Sequence, residues 1–305
     1  MTTEPNVNDA HCHFFSPRFF AALAQQRGRT PSESPADICR ELQWEDPIAP
    51  GALADRWVAE LDRHGVARAA LIASVPGDEE SVAAAVTRHA TRFVGFFMVD
   101  PSAEHAPATV RRALTELGLR GVCLFPAMHH VALADDRVTR IVEIAAASPG
   151  TAVFVHCGVL SVGVRAKLGL PSRFDLRLGD PLGVSRLALA FPTVPFIIPH
   201  FGAGLFRETL MAMSVCPNIH VDTSSSNSWI RYAPGLTLEA ALATTLSVAG
   251  ASRVLFGTDS SFYPRGWQRN VYETQRRMMT DAGVSAADAA LVCGGNFDRL
   301  FPAAG

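Results

Sequence analysis

No apolar run in this sequence approaches the roughly 20 residues that a helix needs to cross a bilayer. Its opening, "MTTEPNVNDA", has no basic segment leading into an apolar one. A membrane protein and a secretory leader are therefore not expected. An excess of one charge is missing too: 27 basic residues face 29 acidic ones, for a formal net charge of −2. With no local run of Lys and Arg either, nothing marks a nucleic-acid partner or an anionic membrane surface. The six cysteines form no CxxC pair, which argues against a zinc ribbon or a thioredoxin-type site. Buried free thiols in a reducing cytoplasm are expected instead. No GxGxxG follows the first apolar run, which disfavours a dinucleotide-binding sheet.

What is present is a chain of 305 residues, 48% hydrophobic, enough for one sizeable core. Short apolar runs, rich in Val, Ile, Phe and Leu and without strict alternation, fall at 7–10, 67–73, 93–99, 121–125, 152–155, 194–198, 218–221 and 253–256. Such runs suit strands covered on both faces, as in a parallel sheet. Between them lie amphipathic stretches. "ALADRWVAELDRHG" places Leu53, Trp57 and Leu61 on one helical face, and "APATVRRALTELG" ends at a C′ glycine, Gly118. In "SAAD", Ser285 is an expected N-cap. Eight strand–helix units at this length predict a single domain, 1–305, folded as a distorted (β/α)8 TIM barrel. Three long segments, after the first, fifth and seventh strands, would then stand over the C-terminal face, where barrel chemistry occurs.

"DAHCH" (9–13) spaces Asp9, His11 and His13 two residues apart, so strand geometry puts them on one face, with Ala10 and Cys12 on the other. Two imidazoles so placed can reach one cation. "TAVFVHCG" sets His156 directly after an apolar strand, "PFIIPHFGAG" does so for His200, and "VLFGTDSSF" for Asp259. In a barrel these strand ends form one ring. The ring offers imidazole and carboxylate ligands suited to one divalent ion, Zn2+ first and Mn2+ as the alternative.

The HxH after the first strand, a His after the fifth, a His after the sixth and an Asp after the eighth resemble the amidohydrolase superfamily. "HCHFFSPRFFAAL" is similar to the opening of its amidohydrolase-related, aminocarboxymuconate-semialdehyde decarboxylase-like subgroup, and "GGNFDRLF" to its final helix. The resemblance runs from about Asp9 to Phe301. It implies His11, His13, His156 and Asp259 as metal ligands and His200 as the general base or charge stabiliser beside them. It also implies a homodimer. The fourth strand, "GVCLFPAMHH", lacks the Lys of binuclear members, so one metal is implied. Two places depart from the decarboxylase pattern: Cys157–Gly158 follows the fifth-strand His, and "TDSSFYPRG" replaces "DYP".

The expected activity is therefore hydrolysis of a small carboxylated substrate through metal-activated water and His200, with Asp259 also handling protons. Non-oxidative decarboxylation of an aromatic or muconate-like acid is the alternative. Arg265 is the expected carboxylate grip, with Arg165, Arg173 and Arg177 behind it. Phe15, Trp229 and Tyr263 are expected to wall the pocket. Asp222 is expected to orient His200 from behind. His129 and His130 are read as loop residues near the fourth strand. His64, His89, His105 and His220 are read as solvated or capping.

Overall fold

In the computed structural model, residues 6–28 and 33–303 are described. Residues 29–32 of the first long loop, and residues 1–5 of the opening, lie outside the described residues. Nine parallel strands line up as β8-β7-β6-β5-β4-β3-β2-β1-β9. They are β1 (Val7–Phe14), β2 (Val66–Ala73), β3 (Phe93–Val99), β4 (Gly121–Leu124), β5 (Ala152–Val155), β6 (Phe196–Ile198), β7 (Ile219–Asp222), β8 (Val254–Leu255) and β9 (Ser260–Ser261). Helices separate consecutive strands from β1 to β8, whereas β9 follows β8 directly. The sheet curls shut through its last segment. Leu255 pairs with Asp222 of β7, while Ser260 and Ser261 pair with Cys12 and His13 of β1. Between them, Ala10 N donates to Phe256 O at 2.9 Å and Asp259 N donates to His11 O at 2.9 Å. The expected eighth strand is thus split in two, and the fold is a (β/α)8 TIM barrel.

Two apolar layers follow from the strand pattern. The inner one holds Ala70, Ile72, Phe96, Phe154 and Leu255, with Phe297 and Phe301 from the last turns of the chain. Residues on the opposite strand faces, such as Leu71 and Val153, pack into an outer layer shared with the surrounding helices. A fully buried phenylalanine stabilises by about 1.5–3 kcal/mol. The final helix, Asn296–Leu300, is tied down by Asn296, whose Nδ2 donates to Ala251 O and Val254 O. Ser285 caps its helix as expected, accepting from Asp288 N at 3.1 Å. All six cysteines are free and buried.

The long segments carry structure of their own. The one after β1 contains the helix Pro35–Leu42, closed by a capping box between Ser34 and Asp37. The one after β5 contains the helix Gly163–Lys167 and a short turn at Leu176–Leu178. The one after β7 contains the turn Ser228–Tyr232. Among the described residues, no helix is long and apolar enough to cross a membrane.

Strand alternation fails in one informative place. From Asp9 to Cys12 the first strand takes three steps while its partner, from Ala69 to Leu71, takes two. This is a β-bulge. Ala10 joins the inner layer and Cys12 the outer one, and His11 and His13 line the central cavity. Asp9 does not share their face, contrary to simple period-two reasoning. Its carboxylate accepts from Thr258 N at 3.1 Å and from Trp267 Nε1 at 2.8 Å, joining the first strand to the segment that closes the barrel. Burial raises the Asp9 carboxyl above its ordinary range, even against the hydrogen bonds it accepts.

Candidate metal and active site

The C-terminal strand ends open into a cavity of about 390 Å³. His11, His13, His156, His200 and Asp259 all line it. His11 and His13 lie in the second half of β1, His156 and His200 just after β5 and β6, and Asp259 just before β9, so the barrel brings together residues up to 248 positions apart in sequence, counting from His11 to Asp259. His13 Nε2 lies 2.9 Å from Asp259 Oδ1, and His11 Nε2 lies 3.7 Å from the same oxygen. The ligand-type atoms of His11, His13 and Asp259 lie within 4.8 Å of one another.

Three of the four imidazoles, those of His11, His13 and His200, are held from behind. His11 Nδ1 is 2.9 Å from Asp222 Oδ2 and 3.0 Å from Ser224 Oγ. His13 Nδ1 is 2.8 Å from Ser74 Oγ, which in turn donates to Ile72 O. With Nδ1 engaged on each ring, Nε2 is left to face the acid. His200 Nδ1 is 2.8 Å from Ser224 Oγ and 3.2 Å from Ser224 O. Asp222 therefore does more than expected: one oxygen binds the His11 ring, and the other accepts the backbone N–H of His200 at 3.0 Å and that of Ser224 at 3.0 Å. It fixes the His200 backbone rather than its ring. Ser224 and Ser74 were not legible as site residues. Serine is common in loops, and only the folded neighbourhood singles these two out.

The backbone is strained at the same points. His200 has φ +56° and Asp259 has φ +60°, a left-handed conformation that costs a residue with a Cβ about 1–3 kcal/mol. The hydrogen bonds from His200 N to Asp222 and from Asp259 N to His11 O hold these conformations in place. Gly158, two residues beyond His156, has φ +69°, and a Cβ there would run into the carbonyl oxygens of Gly202 and Ala203. The fifth- and sixth-strand loops thus touch through this glycine.

Electrostatics match the geometry. Burial opposes ionisation of Asp222, but the neighbouring His11 outweighs it and holds the carboxyl at about 2. Asp259 is likewise held well below the usual carboxylate range, burial being overcome by its bond to His13. Burial lowers His156 far below its ordinary value, and the nearby His200 and His11 push the same way. Burial also lowers His200, so its imidazole is neutral at pH 7. His156 stacks on Phe125 with centroids 5.3 Å apart, and its Nδ1 is buried with no hydrogen-bond partner. His11, His13 and Asp259, with ligand atoms within 4.8 Å of one another, fit a cation site; His156 lines the same cavity with its ring centroid 5.3 Å from that of His200, but lies outside that close group.

The outer wall is aromatic and cationic. Phe15 stacks on Phe19 at 4.0 Å, and Trp44 lies beyond at 6.4 Å from Phe15. Phe15, Tyr263 and Arg265 all line the cavity. Trp229 does not. It is buried 5.7 Å from Phe206 and donates its Nε1–H to Asn227, so it packs the seventh-strand loop instead. Arg177 pairs with Asp175 in solvent and is no part of the wall. His220 is buried rather than solvated, and burial lowers it to about 4. The sequence reading missed Lys167. It is the only lysine in the chain, it lines the cavity, and its Nζ lies 5.7 Å from the Trp44 ring.

Similar architectures occur in solved structures. A 5-carboxyvanillate decarboxylase from Novosphingobium aromaticivorans, complexed with manganese and a nitrobenzoic acid, has a TM-score of 0.65 at 16% identity, covering 97% of this chain and 96% of that one. A probable 2-pyrone-4,6-dicarboxylic acid hydrolase from Acinetobacter baumannii, with citric acid bound, has a TM-score of 0.60 at 14% identity over 97% and 99%. An amidohydrolase from Burkholderia multivorans with bound zinc has a TM-score of 0.63 at 17% identity over 98% and 100%. At these identities the likeness shows the shared fold. No curated protein matches the sequence significantly. The amidohydrolase family model matches residues 8–303, nearly the whole chain, and the protein belongs to that family.

Proposed function

We propose that this protein is a metal-dependent hydrolase that uses a single divalent ion to open a bond in a small carboxylated compound. The observation that carries the proposal is the convergence of His11, His13, His156, His200 and Asp259 on one cavity. His11, His13, His156 and Asp259 would hold the ion. Zn2+ is the proposed metal and Mn2+ the alternative, since both suit imidazole and carboxylate donors and solved relatives of similar fold carry one or the other. A divalent ion so held supplies Lewis-acid charge and brings the pKa of water toward about 7.

The chain's own groups do the rest. Ser224 occupies Nδ1 of His200, which leaves Nε2 of a neutral imidazole to take a proton from the attacking water. Asp222 keeps His11 in one tautomer, with Nδ1–H toward the acid and Nε2 toward the cavity. His200 would then give that proton to the leaving group, and the ionised Asp259 would take the remaining proton of the water as the new carboxylate forms. Phe15 and Tyr263 exclude water along the wall, and Arg265 and Lys167 meet the substrate carboxylate at the mouth.

Incubation of the zinc- or manganese-loaded protein with lactone and amide libraries tests this reading. Hydrolysis products are expected, and release of CO2 without any hydrolysis would overturn it. Decarboxylation is the second reading, favoured by the structural likeness to a 5-carboxyvanillate decarboxylase, and it predicts CO2 from hydroxybenzoate- or muconate-like acids. The six buried free thiols support a cytoplasmic setting. The homodimer implied by the family resemblance is checked by light scattering.

A further inference from the structure

The cavity continues past the metal-site wall. Phe19, Ser74, Met98, Met128 and Val162 line it and also line a second chamber of about 390 Å³. The partition is the short helix Gly163–Lys167, whose Lys167 lines the first chamber and whose Arg165 lines the second. Ser74, which holds the ring of His13, stands at the junction.

The second chamber carries Arg165, Arg173, His129 and His130 against one acid, Asp100. Asp100 is already engaged: one of its oxygens accepts from Ser102 N at 2.9 Å and from Ser102 Oγ at 2.7 Å. Surface arginines nearby are neutralised at short range, Arg137 by Asp135 and Arg177 by Asp175, each at 2.7 Å. Among the described residues, Arg165 and Arg173 have no such carboxylate. Arg165 spends its terminal nitrogens on the side chain of Gln26 and on Pro171 O, and its Nε–H is buried with no acceptor. The Nδ1 of His129 is also buried without a partner. An incoming acceptor would meet the unpaired Arg165 Nε–H.

We propose that this second chamber receives an oxyanion, carboxylate or phosphate, at the far end of a substrate whose other end lies at His11, His13 and Asp259. The location of the reacting end rests on the function proposed above; the anion site itself does not. The true substrate would then carry, besides the carboxylate met by Arg265 and Lys167, a second anionic group far enough from the reacting bond to pass Ser74.

Calorimetric titration of the full-length protein, metal-loaded and metal-free, tests the proposal. The ligands are the straight-chain diacids from succinate to sebacate, the monoacids of equal length, and the phosphonate-ended analogue of the best diacid. One diacid or its phosphonate is expected to bind at least about tenfold tighter than the matching monoacid, equivalent to about 1.4 kcal/mol. Arg173→Gln, which breaks no hydrogen bond or ion pair seen among the described residues, is expected to abolish that advantage; Arg173→Lys restores part of it. A wild-type protein that binds monoacids and their two-ended counterparts alike at every length overturns the proposal, as does an advantage that survives Arg173→Gln. A gain for the phosphonate alone assigns the far group as phosphate. An advantage kept by metal-free protein, in a chain that neither takes up metal nor hydrolyses, overturns the proposed function and leaves the anion chamber standing.

Discussion

His11 and Asp222 meet across the barrel mouth, ring nitrogen to carboxylate oxygen at 2.9 Å, from strands 211 residues apart. The contact fixes which nitrogen of His11 looks into the cavity. Asp222→Ala is therefore expected to weaken metal binding about 10–100-fold, measured by titration against a competing chelator. Unchanged affinity would show that the carboxylate orients nothing.

The cavity residues divide into those that hold the ion and one that moves protons. His11→Ala and Asp259→Ala are expected to lose bound metal by elemental analysis. His200→Ala is expected to keep it and to lose about 10²–10⁴-fold in turnover. Equal loss of metal in His200→Ala and His11→Ala would reverse that division.

Gly158 is expected to tolerate no side chain. Gly158→Ala places a methyl group against two carbonyl oxygens at a positive φ and should cost about 3 kcal/mol in denaturant unfolding. A variant as stable as the wild type would mean that the fifth- and sixth-strand loops separate freely.

Asp78 gives the protein a pH-dependent term away from the metal. Burial raises its carboxyl to about 6, despite hydrogen bonds from Ser81 and Ser16 and the nearby Arg18. Ser16 Oγ contacts both of its oxygens and caps the helix Pro17–Arg27. The folded state binds this proton more tightly than the unfolded chain does. The stability it contributes is full below about pH 4 and is lost as pH rises through about 6. Asp78→Asn should therefore stabilise by about 2 kcal/mol at pH 8 and leave stability unchanged near pH 4, read from urea midpoints at the two pH values.

Lys167 is the only side-chain amine in the chain. Trinitrophenylation is expected to mark it beside the terminal amine, and a bound carboxylate should slow labelling at Lys167 alone. Lys167→Gln should raise KM for a carboxylated substrate about tenfold with kcat little changed.

The barrel and its ring of histidines were legible in the sequence because both rest on short-range signals. Apolar runs stop where the polar ligand residues begin, and 93–99 and 152–155 coincide with β3 and β5. What escaped depends on distant neighbours. Nothing in "DAHCH" announces a bulge, which is set by the register against β2, so Asp9 was placed on the wrong face. Trp229 looked like a pocket wall because it follows a strand, but Phe201 and Phe206 enclose it. Lys167 was overlooked because a lysine in a loop resembles any solvated cation until the helix beneath it turns it toward Trp44.

The split last strand has a consequence for assembly. His11 and His13 sit near the start of the chain, and Asp259 joins them only when residues 256–261 zip onto β1. Until that seam is sewn, the donor atoms are strangers. Uptake of an ion should therefore lag behind most of the collapse, and a cation already seated would act as a clasp, slowing the unzipping of the first strand from the last.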